Sequence, residues 1–192
     1  MNNDTQTYCP ASKQAWRQWL TDHHALQQAV WLIMYKKETG VPTISWSEAV
    51  EEALCFGWID GKRKPLDEGK FIQFFSRRKP KGTWSKVNKE KAEQLIAGGL
   101  MTQAGFDAIE RARKNGSWTV LDDVEAGTIP EDLTTAFSTH PGSEVYFLGL
   151  SRSVRKSILQ WLVLAKRPET RQKRIAEIAA LAAQQLKPPQ FR

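Results

Sequence analysis

The residues best suited to chemistry lie between Lys62 and Lys91, where basic and aromatic side chains are interleaved. These thirty residues hold eleven lysines or arginines and three acids, a net charge of +8, whereas the whole chain carries +7. Guanidinium groups donate paired hydrogen bonds to phosphate or carboxylate, and aromatic rings offer faces for stacking. The segment therefore predicts a surface that attracts an anion.

We predict a contact surface made of eight of the eleven cations of this segment, its single tryptophan and two residues that precede it. Its members are Lys62, Arg63, Lys64, Arg77, Arg78, Lys79, Lys81, Trp84, Lys86, Trp58 and Asp60. The phenylalanines of the segment have two interpretations: Phe74 or Phe75 stacks on a ligand, or these two and Phe71 belong to the core. The charges likewise either face an anion or only keep the edge of a sheet soluble.

A second candidate site is an acidic helix face. At about 100° per residue, four side chains fall within about 100° of arc opposite the apolar stripe of the helix: Glu48, Glu51, Glu52 and Cys55. Such a face could hold a hard cation or raise the pKa of one carboxyl group. Acids also favour the first turns of a helix because of its dipole, so a solvated acidic face is the alternative.

Standard signatures of enzymes and cofactor sites are absent from the sequence. It contains no Gly-x-x-x-x-Gly-Lys-Ser/Thr, no Gly-x-Gly-x-x-Gly and no Cys/His spacing typical of zinc sites. None of the three histidines (His23, His24 and His140) follows a recognisable nucleophile motif. We therefore expect a binding protein without cofactor or metal rather than an enzyme.

Length and cysteine usage predict a soluble cytoplasmic protein. A chain of 192 residues can bury roughly 70% of its unfolded surface and so needs no disulfide. No apolar run approaches the about 20 residues that cross a bilayer, and the first residues do not resemble a secretory signal. Cys9 and Cys55 are far apart, as is typical of reduced thiols. Nothing in the sequence sets the oligomeric state.

The elements that position these residues predict an α+β fold, with residues 1–126 forming a mixed domain and residues 127–192 a small all-helical one. The acidic stretch from Asp122 to Pro130 suggests this boundary. In the first domain, Val30–Tyr35 predicts a strand, and Lys62–Leu66 with Phe71–Arg77 predicts a hairpin in a short antiparallel sheet.

Helices should flank this sheet. Ser45 and Glu48 form a capping box, and the helix they begin buries Val50, Ala53, Leu54, Gly57 and Trp58 before Asp60-Gly61 ends it. Ser85 should cap the next helix, which the Gly98-Gly99 pair ends.

The C-terminal domain should contain a helical pair, Ser151–Lys166 and Pro168–Gln185. Arg171 and Arg174 on an exposed face would suit a helix-turn-helix that reads DNA, whereas a plain packing unit with Trp161 at its centre is the more generic interpretation.

Four strings of residues resemble a known family. They are Val30-Trp-Leu-x-x-Tyr-Lys-Lys37, Glu48-Ala-Val-Glu-Glu-Ala-Leu-Cys-Phe-Gly-Trp-Ile-Asp-Gly61, Phe75-Ser-Arg-Arg-Lys-Pro80, and Trp161 with Ala165-Lys-Arg-Pro-Glu-Thr-Arg171. From about Trp16 to the last helix, the chain is similar to the YdeI/OmpD-associated (OmdA) family. The resemblance implies a bacterial protein of a family whose name refers to bacteriocin protection and to association with an outer-membrane porin. It implies no established reaction or cofactor.

These observations predict a non-catalytic stress- or bacteriocin-protection-type protein that binds an anionic ligand or a protein partner through its basic-aromatic surface. One alternative is a nucleic-acid-binding module, whose affinity would fall steeply with salt. The other is an enzyme or metal-handling protein that uses the Glu48–Cys55 helix face together with Asp60.

Overall fold

The computed structural model describes residues 5–191 in two compact units, the first ending at Trp118 and the second beginning at Thr119. We call them the N-terminal and the C-terminal unit. The division lies N-terminal to the acidic stretch that suggested a boundary after residue 126. The predicted α+β class is confirmed, since the first unit combines a sheet with helices and the described part of the second is helical. Within residues 5–191, no helix has both the length and the apolar character to span a membrane.

The N-terminal unit contains a four-stranded sheet with helices. Its elements are β1 (Thr7–Tyr8), α1 (Lys13–His23), β2 (Ala29–Tyr35), α2 (Trp46–Cys55), β3 (Trp58–Pro65), β4 (Lys70–Arg77), α3 (Lys86–Ala97) and α4 (Gln103–Lys114). The strand order is β1-β2-β4-β3, and β3 and β4 form the predicted hairpin. The short β1 runs parallel to β2, so the sheet is mixed rather than wholly antiparallel.

The strands alternate between a buried and a half-exposed face. In β2, Val30, Leu32 and Met34 are buried, whereas the residues between them are half-buried. In β4 the same alternation buries Phe71 and Phe75. Because side chains alternate across a strand, one face of the sheet packs on the core and the other forms an outer face.

Helix α2 begins as the sequence predicts but ends earlier. Ser45 and Glu48 form the capping box, and the helix stops at Cys55. Gly57 has a φ of +71°, a left-handed conformation that glycine adopts without strain, and Trp58 already belongs to β3. The predicted stop at Asp60-Gly61 is therefore wrong, because both residues extend along β3.

Helix α4 starts directly against the end of α2. Both the backbone N–H and the hydroxyl of Thr102 donate hydrogen bonds to the carbonyl oxygen of Cys55, at 3.1 and 2.6 Å. A Cβ at Gly105 would meet this same carbonyl oxygen and the Sδ of Met101. The close approach fixes the course of α4, whose last turn carries Arg111.

The C-terminal unit is a small helical core. Its helices are α5 (Asp122–Ala126), α6 (Glu131–Ser138), α7 (Ser143–Gly149), α8 (Arg152–Val163) and α9 (Pro168–Ala183). Pro168 occupies the first turn of α9 as predicted. The fully buried side chains include Leu133, Phe147, Ile158 and Leu162.

Trp161 does not form the centre of this core. It is only partly buried, with the ring of Phe191 at 5.9 Å and the guanidinium of Arg174 at 4.6 Å from its ring. Arg174 also donates a hydrogen bond to the carbonyl oxygen of Trp161. Arg171 is half-buried and binds both carboxylate oxygens of Asp132, at 2.6 and 2.9 Å. The expected exposed face with Arg171 and Arg174 is wrong, because both side chains hold the helices together.

Candidate anion-binding site

The predicted contact residues separate into several groups in the structure. Trp58, Arg77 and Arg78 come together at one cleft of the N-terminal unit. Lys62 and Lys64 are exposed on the outer face of the sheet, where both lie beside the ring of Trp31. The other predicted residues lie elsewhere in the unit: Asp60 and Arg63 on β3, Lys79 and Lys81 after β4, Trp84 in the core and Lys86 at the start of α3.

The cleft has a volume of about 250 Å³ and a positively charged lining. Its charged residues are Arg77 and Arg78 at the end of β4, Arg111 on α4 and a single acid, Asp107. Three cations facing one carboxylate favour an anionic occupant.

The guanidinium of Arg78 is a buried charge of this cleft with incomplete hydrogen bonding. Its Nη1 donates to the carbonyl oxygen of Thr83 at 3.2 Å, whereas Nε and Nη2 are buried without an acceptor among the described residues. Burial lowers the pKa of Arg78 to about 10, against the opposing effect of the negative charge of Asp60. The group therefore remains charged at neutral pH, with donor capacity that the protein does not use.

The indole N–H of Trp58 is a second buried hydrogen-bond donor without an acceptor in this part of the unit. Its side chain is fully buried and packs edge-on against Trp19 with ring centroids 5.9 Å apart. The indole Nε1 has no acceptor among residues 5–191. Asp60, another residue of the predicted contact surface, accepts a hydrogen bond from the Nε1 of Trp46 at 3.2 Å.

Arg77 is held in place by the backbone that precedes β2. Its Nε donates to the carbonyl oxygens of His24 and Gln27, at 2.8 and 2.9 Å. The Nδ1 of His24 lies 2.8 Å from the carbonyl oxygen of Leu20, a contact that requires the proton on Nδ1. These bonds fix the rim of the cleft formed by the residues after α1.

Arg111 is a member of the cleft that the sequence analysis missed. It lies outside the basic segment, on the last turn of α4, and its side chain is exposed. Its place in the cleft depends on the packing of α4 against the end of α2. The only local signals were the basic last turn of α4 and the glycines at 57 and 105, which permit this close approach.

The aromatic part of the prediction needs correction. Trp84 is buried, with the guanidinium of Arg78 stacked 3.6 Å from its ring centroid and Trp118 at 4.8 Å, so it offers no surface for a ligand. Phe71 and Phe75 are also buried, as the core interpretation predicts. Phe74 alternates to the outer face of the sheet and is half-buried.

The acidic face of α2 is an ion-pair network rather than a solvated ridge. Glu52 is only 2% exposed and lies 2.6 Å from the Nη1 of Arg17 on α1. Glu51 accepts a hydrogen bond from Lys91 on α3 at 2.7 Å. Although burial alone would raise it, the pKa of Glu51 is lowered by hydrogen bonds from Lys91 and Ser47.

Cys55 is a second buried residue of this acidic helix face. It is fully buried, and burial followed by the charge of Glu52 raises the pKa of its thiol. The expectation of a solvated face is thus wrong for Glu52 and Cys55, because α1 covers this side of α2. Among residues 5–191, no group of three or more His, Cys, Asp or Glu side chains is placed to hold a metal ion.

Comparison with known families gives two matches along the chain. Residues 126–185 match the family described as "Bacteriocin-protection, YdeI or OmpD-Associated". This match confirms the resemblance to the family for the C-terminal part of the chain, and it supports a bacteriocin-protection-type function at the level of the family. Residues 8–108 match a different family model, that of a domain of unknown function, DUF8412. No curated protein and no solved structure matches the chain. Because residues 8–108 make up more than half of its 192 residues, the chain belongs to the DUF8412 family, with a C-terminal part that matches the OmdA family.

Proposed function

We propose that this protein binds a small oxyanion, a phosphate or carboxylate group, in the cleft between Arg77, Arg78 and Arg111. The binding would serve the bacteriocin-protection-type function that the C-terminal family match supports. The observation that carries the proposal is the buried guanidinium of Arg78, two of whose donor nitrogens have no acceptor in the described chain.

The energetics of burial support an anion at this position. A buried charge is costly unless it is paired and hydrogen-bonded, and a buried donor without an acceptor costs about 1–3 kcal/mol. Among the described residues, Arg78 has no carboxylate as a hydrogen-bond partner, and Asp60 acts on it only through its charge. An oxyanion in the cleft would supply the counter-charge. It would accept from Nε and Nη2, in the paired geometry that arginine favours, once the side chain turns toward the cleft, because both atoms are closed to solvent in this structure.

The size of the cleft limits the ligand. Clefts that hold drug-sized molecules usually have volumes of roughly 300–1,000 Å³, and this one is about 250 Å³. It therefore suits a phosphate, a small carboxylate or the anionic end of a larger partner.

Thermal unfolding in the presence of inorganic phosphate or succinate tests this proposal. A ligand that binds only the folded protein raises the melting temperature with increasing concentration. We expect both anions, at ionic strength held constant with sodium chloride, to stabilise the native protein. Arg111→Ala should remove most of this effect with little loss of stability, because the side chain is exposed.

Lys114→Ala is the matched control for Arg111→Ala. Lys114 lies on the same helix and also carries one positive charge, but it pairs with Glu110 on the surface and does not line the cleft. The control should keep the full response to phosphate or succinate. Equal responses in the Arg111→Ala and native proteins, or none in the native protein, would show that the cleft is not an oxyanion site.

A further inference from the structure

The outer face of the sheet carries a row of large side chains that the cleft does not use. In β2 these are Trp31, Ile33 and Tyr35, and in β4 they are Ile72 and Phe74; all five are half-buried. Each alternates with a residue that is buried in the core, so the row follows from the twofold period of the strands. An accessible sheet face with two aromatic rings at its centre is unusual for a surface that faces only water.

The two central rings are fixed against each other. Trp31 pairs with Phe74 across β2 and β4, and their ring centroids are 5.0 Å apart at an interplanar angle of 63°. The neighbouring strand contributes Gly61, where a Cβ would lie 3.1 Å from the Cδ1 of Phe74. The absence of a side chain at residue 61 leaves room for the Phe74 ring.

Lysines surround this aromatic pair. The Nζ atoms of Lys62 and Lys64 lie 5.8 and 5.3 Å from the ring centroid of Trp31, and Lys70 lies 5.3 Å from the ring of Tyr35. Lys70 pairs with Asp67 at 3.5 Å, whereas Lys62 and Lys64 have no acidic partner within 4 Å in the described chain. The face is therefore both aromatic and positively charged.

We propose that this outer face binds single-stranded nucleic acid. Bases stack on exposed aromatic rings regardless of their sequence, and lysines beside the rings neutralise phosphates. Lys62 and Lys64 are exposed, and lysine carries its charge on a flexible stem, so both can leave the ring of Trp31 for a phosphate when a base takes their place. Two or three bases fit such a four-stranded platform.

The same features argue for a single strand over a duplex. The bases of a duplex are paired and stacked internally, and their faces cannot reach Trp31 or Phe74. Recognition through base faces and phosphates requires no 2′-hydroxyl, so ribose and deoxyribose strands are equivalent for this site. The site is independent of the oxyanion cleft, whose residues lie elsewhere in the N-terminal unit.

Fluorescence polarisation with a labelled twelve-residue oligothymidylate tests the proposal. We expect saturable binding at low salt that is lost as salt rises, and binding to a duplex of equal length at least tenfold weaker. The double variant Lys62→Gln/Lys64→Gln should reduce the magnitude of the slope of log affinity against log salt by about 1.4, because each phosphate contact of a single strand contributes about 0.7. Phe74→Leu, which keeps an apolar side chain, should weaken binding at least fivefold without unfolding the protein.

Two controls make the test specific. Lys79→Gln with Lys81→Gln removes two exposed charges from the same basic segment but not from the sheet face, and it should leave the affinity unchanged. Arg111→Ala should likewise leave oligothymidylate binding intact. Equal losses in both lysine pairs, equal binding of the duplex, or no binding at low salt would overturn the proposal. Loss of binding in Arg111→Ala would also overturn it, because the cleft would then be the site.

Discussion

Individual cations of this protein have very different surroundings, although the sequence counts them alike. Arg78 is buried with unused donors, and Arg77 is held by two carbonyl oxygens. Arg171 and Arg174 hold helices of the C-terminal unit together. The net charge of the basic segment therefore overstates the charge available to a ligand, and the candidate sites depend on a few cations whose bonding is incomplete.

The Arg17–Glu52 pair gives a stability prediction at this scale. Glu52→Gln should lower the free energy of unfolding by about 2–4 kcal/mol, because it leaves Arg17 and Lys13 without the buried carboxylate that joins α1 to α2. The lower part of this range is expected, since Arg17 is one-third exposed. Urea denaturation followed by tryptophan fluorescence measures the change.

Glu110→Gln provides the comparison for this variant. Glu110 pairs with Lys114 on the surface, with both side chains more than half exposed, and its loss should change stability by less than about 0.5 kcal/mol. If the two variants lose equal stability, the pair between α1 and α2 is not a structural link.

At the scale of elements, the contact between α2 and α4 decides where the cleft forms. The start of α4 binds the carbonyl oxygen of Cys55, and Gly105 allows the two backbones to approach closely. This packing brings Arg111 into the cleft that Arg77 and Arg78 line at the end of β4. A change in this contact should thus affect both stability and the cleft.

Gly105→Ala tests this contact. The added methyl group would meet the carbonyl oxygen of Cys55, which is backbone and cannot rotate away, as well as the Sδ of Met101. We expect a loss of about 1–3 kcal/mol in unfolding free energy by urea denaturation, together with a weaker response to phosphate. Gly98→Ala is the control, because the new Cβ would make only ordinary contacts there; a similar loss at both positions would contradict the close approach.

At the scale of the whole molecule, two separate sets of side chains form two cores. One lies between the sheet and helices of the N-terminal unit, and the other lies among the helices of the C-terminal unit. The two family matches follow the same order along the chain, since residues 8–108 fall in the first unit and residues 126–185 in the second. Both proposed binding sites belong to the first unit.

Leu162→Ala tests the assignment of the second core. Leu162 is fully buried, so its truncation should cost about 2–5 kcal/mol, whereas Trp161→Ala should cost less because that indole is only partly buried. Amide hydrogen exchange should show faster exchange in residues 119–191 of the Leu162→Ala protein. A greater loss for Trp161→Ala would restore the indole to the centre of the core.

The sequence by itself determined the class of the fold and most of its elements. The capping box at Ser45, the β3–β4 hairpin, the helix after Ser85 and the family resemblance were all readable, because caps, strand periodicity and motifs are local. Two arginines of the segment Lys62–Lys91, Arg77 and Arg78, line the candidate cleft.

Only the tertiary structure decided which of these side chains are accessible to a ligand. Which face of a strand or helix is buried depends on what packs against it, so Trp84 became core, Phe74 half-exposed and Glu52 an internal ion pair. Arg111 joined the cleft through a contact between helices distant in sequence. Burial and long-range packing, which no local pattern encodes, placed some residues of the basic segment at a cleft and others on a separate aromatic face of the sheet.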